Sequence, residues 1–119
     1  MRNEETDLAL LYDIYEAARD ITKFVQGVDL NAFAKQKVLR LAVERQLEVI
    51  GEAIKRLTEK TWNAHPEIPW QQIVSQRNII AHEYDKLQMD KIYRVATDSI
   101  PKLLAQIEPL IPPEHRLND

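Results

Sequence analysis

The fold is decided by the stretch Leu39-Arg40-Leu41-Ala42-Val43-Glu44-Arg45-Gln46-Leu47-Glu48-Val49-Ile50-Gly51-Glu52-Ala53-Ile54-Lys55-Arg56-Leu57. Leu39, Val43, Leu47, Ile50, Ile54 and Leu57 recur every three or four residues, which gathers them on one face of an α-helix. Val38, Leu41, Ala42, Val49 and Ala53 broaden that stripe, so the spacing predicts a central helix contacted on two sides. It is expected to run from about Asn31, a suitable N-cap, to Glu59. Gly51 in its interior costs about 1 kcal/mol relative to Ala. A close helix crossing or an approaching ligand would explain that cost.

The same period continues on both sides. Leu8, Leu11, Ile14, Ala18, Ile21 and Val25 predict a first helix from about Asp7 to Gln26, capped by Thr6 or Asp7 and ended by Gly27. Lys60 to Trp70 reads as a connector in which Pro66 and Pro69 bracket Glu67 and Ile68. Trp62 and Trp70 are expected to pin it to the bundle, because large rings are strongly driven to burial. A shorter helix starts near Pro69 or Trp70, with Ile73, Val74, Ile80 and Ala81 as its apolar face. The last runs from about Met89 to Ile107, with Ile92, Val95, Ala96, Ile100, Leu103, Leu104 and Ile107 inward and a kink at Pro101. Pro109, Pro112 and Pro113 end regular structure. No repeat, low-complexity tract or linker divides residues 1–119. The expectation is one all-α domain, a bundle of four or five helices.

Composition agrees. A chain of 119 residues that is 45% hydrophobic and 29% charged can hold a core and is not of disordered composition. The absence of Cys excludes disulfides, thiol catalysis and Cys-ligated metal sites, and fits a reducing cytoplasm. No apolar run approaches the roughly 18 residues of a membrane span. The acidic start, Met1 to Leu11, is unlike a signal peptide. A net charge of −3 argues against indiscriminate coating of nucleic acid. The charge is uneven, net −4 over residues 1–31 and net +3 over residues 32–60. The second run is either a solvated helix face or a basic strip that meets phosphate.

Of three His, His65 sits beside Pro66 and His115 lies near the C-terminus, and neither is expected to be catalytic. No His/carboxylate spacing suggests a metal, and there is no Gly-rich phosphate loop and no G-x-S-x-G. What remains is Gln76-Arg77-Asn78-Ile79-Ile80-Ala81-His82-Glu83-Tyr84-Asp85. On a continuous helix five residues sweep about 140° beyond a full turn, so Arg77 and His82 converge more easily if the helix ends or distorts near His82. Arg offers a planar, permanently charged fork for phosphate, and His exchanges a proton near neutral pH. RNA supplies its own nucleophile, the 2′-hydroxyl. One Arg and one His are therefore a minimal set for cleaving it without metal, and a two-fold dimer would bring two such pairs together. From spacing alone, catalysis and plain ion pairing or capping both remain open.

The run Arg77, Asn78, His82 and Tyr84 resembles the R-x4-H-x-Y signature of HepT-like toxins of the HEPN superfamily. The block Ala42 to Ala53 is similar to that family's long central helix, Pro66 to Trp70 to its pre-motif loop, and Ser99 to Leu103 to its last helix. The resemblance implies a HEPN-type antiparallel bundle that forms a homodimer, with a composite active site across the dimer cleft. It implies a metal-independent endoribonuclease, without cofactor, acting on tRNA or mRNA as the toxin of a toxin–antitoxin pair. The implied partner is an MntA-type nucleotidyltransferase antitoxin that silences the toxin by AMPylation of Tyr84. Arg77 would stabilise the scissile phosphate and His82 would be the general acid or base. Asn78 would orient the site or is a surface amide. Arg45, Glu48 and Glu52 would support it as an ion-paired group or form a purely structural network. A different class of function stays open, a non-catalytic HEPN binding subunit that docks a minimal nucleotidyltransferase, as does a plain helical dimer that uses the motif in packing.

Overall fold

The computed structural model describes the backbone of residues 4–76 and 86–118, and the side chains of 6–75 and 89–118. The described residues are helical with no strand. They comprise α1 (Glu4–Phe24), α2 (Leu30–Lys35), α3 (Lys37–Arg56), α4 (Glu59–Ala64), α5 (Trp70–Gln76), α6 (Lys86–Arg94) and α7 (Ile100–Ile107), with a π turn over Val95–Ser99 joining the last two. The all-α bundle is as expected. The element count among the described residues is higher because two expected helices are divided, one at Gln36 and one at the π turn, and the connector holds a helix of its own.

α1 packs along α3 and also against α7, while α5 lies on α3 and α2 bridges α3 and α6. Ile14, Ile21, Val43, Ile50, Ile54, Ile100, Leu103 and Ile107 meet in one hydrophobic cluster. Burying such side chains contributes about 1.5–3 kcal/mol each relative to exposure. The expected stripes hold with three exceptions: Leu8 is exposed, and Val38 and Leu41 are 83% and 51% exposed. Ile80 and Ala81, expected on the apolar face of the helix after the connector, lie outside the described residues. α3 is thus contacted on several sides along most of its length but bare along one edge of its first two turns.

The helix expected from Asn31 to Glu59 breaks at Gln36 (φ −107°, ψ 88°), and its C-terminal end falls at Arg56. Tertiary packing overrides a helical pattern here. Phe33 on α2 is buried against Tyr93 of α6, ring centroids 5.5 Å apart, and Tyr93 Oη donates to Val28 O at 2.6 Å. A straight helix would carry Phe33 away from that partner. The N-cap of α2 is Asp29 rather than Asn31, its carboxylate accepting from Ala32 N at 2.8 Å.

Asp7 also departs from its expected role. α1 begins three residues earlier, at Glu4, and Asp7 is buried. Its carboxylate accepts from Thr58 N at 3.2 Å and from the hydroxyls of Thr58 and Thr61, tying α1 to the N-cap of α4. Gly27 follows α1 at φ +73°, left-handed backbone that glycine adopts without steric cost.

Just before Pro101, where the sequence implied a kink, the backbone makes a wide turn. Ile100 N–H reaches back five residues to Val95 O, the π pattern, one residue before the proline that has no N–H to give. Beyond α7 the chain forms single 3-10 turns at Glu108–Leu110 and Pro113–His115. It then returns to α1, where Leu117 N donates to Tyr15 Oη at 2.8 Å.

Candidate functional site

Arg77, Asn78, His82 and Tyr84 lie outside the described residues. What the structure describes is the frame that delivers the chain to them: α5, which ends at Gln76, and the loop before it. Trp62 and Trp70 stack with ring centroids 6.2 Å apart and planes 19° apart. Trp62 Nε1 donates to Ile54 O on α3 at 3.2 Å, and Trp70 Nε1 donates to His65 O at 3.1 Å and to Trp62 O at 3.3 Å. Trp70 is buried and Trp62 partly so, and each indole spends its one donor on the backbone of the connector or of α3. Ile68 and Trp70 are buried, and Pro69 O accepts the first helical bond of α5 from Ile73 N at 3.0 Å. The connector is pinned by its two Trp, as the sequence implied. The loop's His65 faces Glu67, Nδ1 to carboxylate 3.6 Å. Among the described residues no cluster of His, Asp and Glu could hold a metal ion.

The three expected supporting residues sit together on α3. Arg45 Nη1 and Glu48 Oε2 are 3.6 Å apart, with side chains 75% and 44% exposed. Glu52 and Lys55 make a second pair at 4.0 Å. Arg45, Glu48 and Glu52 line a shallow groove of about 250 Å³ along the α1–α3 seam, shared with Leu10 and Asp13. Exposed pairs of this kind contribute about 0–1 kcal/mol, so the group is weakly held. Further along the seam Gln46 Nε2 donates to Asp20 Oδ2 of α1 at 2.8 Å.

Sequence reasoning missed Glu44. It is 8% exposed, and its Oε2 is sealed from solvent with no hydrogen-bond partner among the described residues. At about 100° per residue it lies roughly 160° around α3 from Gln46, on the flank away from α1. The signal was present in the sequence, because Glu44 and Gly51 are two turns apart on one edge of the apolar stripe. A buried carboxylate oxygen without a donor costs stability, so this flank of α3 is not optimised for packing alone.

The fold is that of an all-α bundle in which a pinned loop and a short helix deliver one polar segment, and comparison with known proteins assigns its family. Residues 14–110, which include Arg77 to Tyr84, match the family model described as ribonuclease HepT-like. The protein of Methanocaldococcus jannaschii named "Putative RNase MJ1380" is 35% identical over 100 residues, covering 84% of this chain and 92% of that protein. "Probable ribonuclease HepT" of Thermococcus cleftensis is 33% identical over 100 residues, 84% of this chain and 91% of its own. "Putative RNase TTE0752" of Caldanaerobacter subterraneus is 30% identical over 110 residues, 92% of this chain and 98% of its own. No solved structure matches the chain significantly. This chain belongs to the ribonuclease HepT-like family. No helix among the described residues is long and apolar enough to cross a membrane.

Proposed function

We propose that this protein is a metal-independent endoribonuclease, the toxin of a toxin–antitoxin pair, folded as a single domain over residues 1–119 and acting in the cytoplasm. The observation that carries this reading is the family match across residues 14–110, within which Arg77, Asn78, His82 and Tyr84 stand in the R-x4-H-x-Y order. In the reaction His82 takes the proton from a ribose 2′-hydroxyl. The 2′-oxygen attacks phosphorus and the bond to the 5′-oxygen breaks. A second His82, from the other copy of a homodimer, protonates the leaving 5′-oxygen. Arg77 neutralises the extra charge on the pentavalent phosphorane, and Asn78 orients it. The products are a 2′,3′-cyclic phosphate and a 5′-hydroxyl.

Control falls to an MntA-type nucleotidyltransferase antitoxin that places AMP on Tyr84. A bulky anion two residues from His82 occupies the phosphate site and repels RNA. Arg45 and Glu48 are assigned a supporting place in this scheme, beside the site and without contact to the reacting atoms.

The test is incubation of total cellular RNA, tRNA and mRNA together, with purified protein in excess EDTA, wild type beside His82→Ala. Cleavage by wild type alone with cyclic-phosphate ends is the expected result. Equal cleavage by both proteins would overturn the role of His82. No cleavage by either, with AMP on Tyr84 excluded by mass, would overturn the ribonuclease reading.

A further inference from the structure

The first two turns of α3 carry an apolar pair that the fold leaves in water. Val38 and Leu41 are the most exposed large apolar side chains among the described residues. They stand three residues apart, so they are neighbours on one row of the helix. Val38 is β-branched and a poorer helix former than the Lys or Glu that an exposed position accepts, so local stability does not account for it.

Cations frame the pair. Lys37 and Arg45 lie one turn before and one turn after Leu41 on the same row, about 12 Å apart along the axis. Lys35 ends α2 just before them. Lys35 and Lys37 are exposed, and neither is ion-paired among the described residues. Arg45 holds the exposed contact to Glu48 at 3.6 Å. No acid stands in the first turn of α3, where the helix dipole favours acids and makes Lys37 a local cost. Neither the apolar pair nor Lys37 is therefore there for the helix that bears it.

An edge that is apolar at its centre and positive at both ends selects its occupant. A second copy laid on it across a two-fold axis would set the cations of one edge against those of the other. A nucleic acid would meet the charge, but Val38 and Leu41 are aliphatic and give a base no ring to stack on. A helix with apolar residues at its centre and a carboxylate one turn to either side answers both parts of the edge.

We propose that this edge of α3 docks an acidic amphipathic helix of a partner protein, with Val38 and Leu41 against its apolar residues and Lys35, Lys37 and Arg45 on its carboxylates. The inference goes beyond the ribonuclease reading and does not depend on it.

The test uses the full chain and a fluorescein-labelled helical peptide with two Leu at its centre and Glu one turn to either side, beside the same peptide with Lys for Glu. Anisotropy is expected to show saturable binding of the Glu peptide, and binding of the Lys peptide more than about tenfold weaker. Val38→Glu, at a position too exposed to disturb folding, is expected to weaken the Glu peptide by more than about tenfold. Lys35→Glu combined with Lys37→Glu is expected to reverse the preference in favour of the Lys peptide. Leu8→Ser, an exposed apolar change next to the Asp7–Thr58 contact beyond the other end of α3, is expected to stay within about twofold. No binding of the Glu peptide, equal binding of the two peptides, or an equal loss for Leu8→Ser would overturn the docking edge. Sedimentation velocity tests the second copy: a wild-type dimer that Val38→Glu breaks into monomers would give the edge to self-association instead. A single-stranded RNA that displaces the Glu peptide, and that Val38→Glu no longer binds, would give it to nucleic acid.

Discussion

Trp70 is held by Trp62 and its neighbours: it stacks on the Trp62 ring at 6.2 Å, and its single Nε1–H is shared between the carbonyls of Trp62 and His65. Trp62 in turn is bonded to Ile54 O of α3. The start of α5 is therefore referenced to α3 through two rings rather than through the chain.

Trp70→Ala removes the buried ring, the stack and the shared bond to the backbone together. It is expected to cost about 3–5 kcal/mol, the range for large-to-small changes of buried aromatics. Urea unfolding followed by far-UV circular dichroism measures it. Trp70→Phe, which keeps most of the ring, should lose less than half as much. A cost below about 1 kcal/mol for Trp70→Ala would show that α5 is held by something other than the Trp pair.

Glu44→Leu should raise stability. The substitution replaces a buried carboxylate, whose Oε2 has no donor among the described residues, by an apolar side chain of similar helix propensity. A gain of about 1–3 kcal/mol in chemical denaturation is expected. A loss of that size would mean that Glu44 is satisfied in solution and contributes to the fold.

Arg45 and Glu48 should couple weakly. A double-mutant cycle with Arg45→Ala and Glu48→Ala is expected to give an interaction below about 1 kcal/mol, because Arg45 is mostly in water and Glu48 partly so. Cleavage measured on the same variants separates the two roles open to the pair. A drop in rate at unchanged stability places it in support of the site, and unchanged rate and stability leave it a surface ion pair.

Tyr84→Phe should still cut RNA and should resist silencing by the proposed nucleotidyltransferase partner, since the phenolic oxygen that would carry AMP is gone. Intact-mass spectrometry after incubation with the partner and ATP reads the modification directly. A mass gain on Tyr84→Phe would place the AMP on another residue.

The helices with long apolar stripes were legible, because side-chain period alone decides them. Ile14 and Ile21 on α1, Val43 and Ile50 on α3, and Leu103 on α7 all reach the core as their spacing requires. The Trp-pinned connector was legible for a similar reason, since two indoles seldom stay in water. The break at Gln36 was not. Nothing in Lys35-Gln36-Lys37 opposes a helix, and the cause is Tyr93, some sixty residues away, drawing in Phe33. Asp7 misled in the same way: it has the composition of a local cap, but its partners are Thr58 and Thr61. Of the candidate site, Arg45, Glu48 and Glu52 were correctly placed on one face of α3, but their exposure depends on α1 running alongside. Glu44 went unnoticed although it shares an edge of the apolar stripe with Gly51, because a charged side chain at such an edge usually reaches water and its burial is set by tertiary packing.

The π turn has a geometrical consequence for the helix it interrupts. Buried positions step from Ile92 to Ala96, Ile100, Leu103 and Ile107, a spacing slightly longer on average than an ideal α-helix allows, so on a regular helix the row would creep sideways around the axis. The wide turn at Val95–Ser99 underwinds the backbone locally and cancels that creep. It works as a phase correction, letting one continuous rod keep the same side toward the core from Ile92 to Ile107.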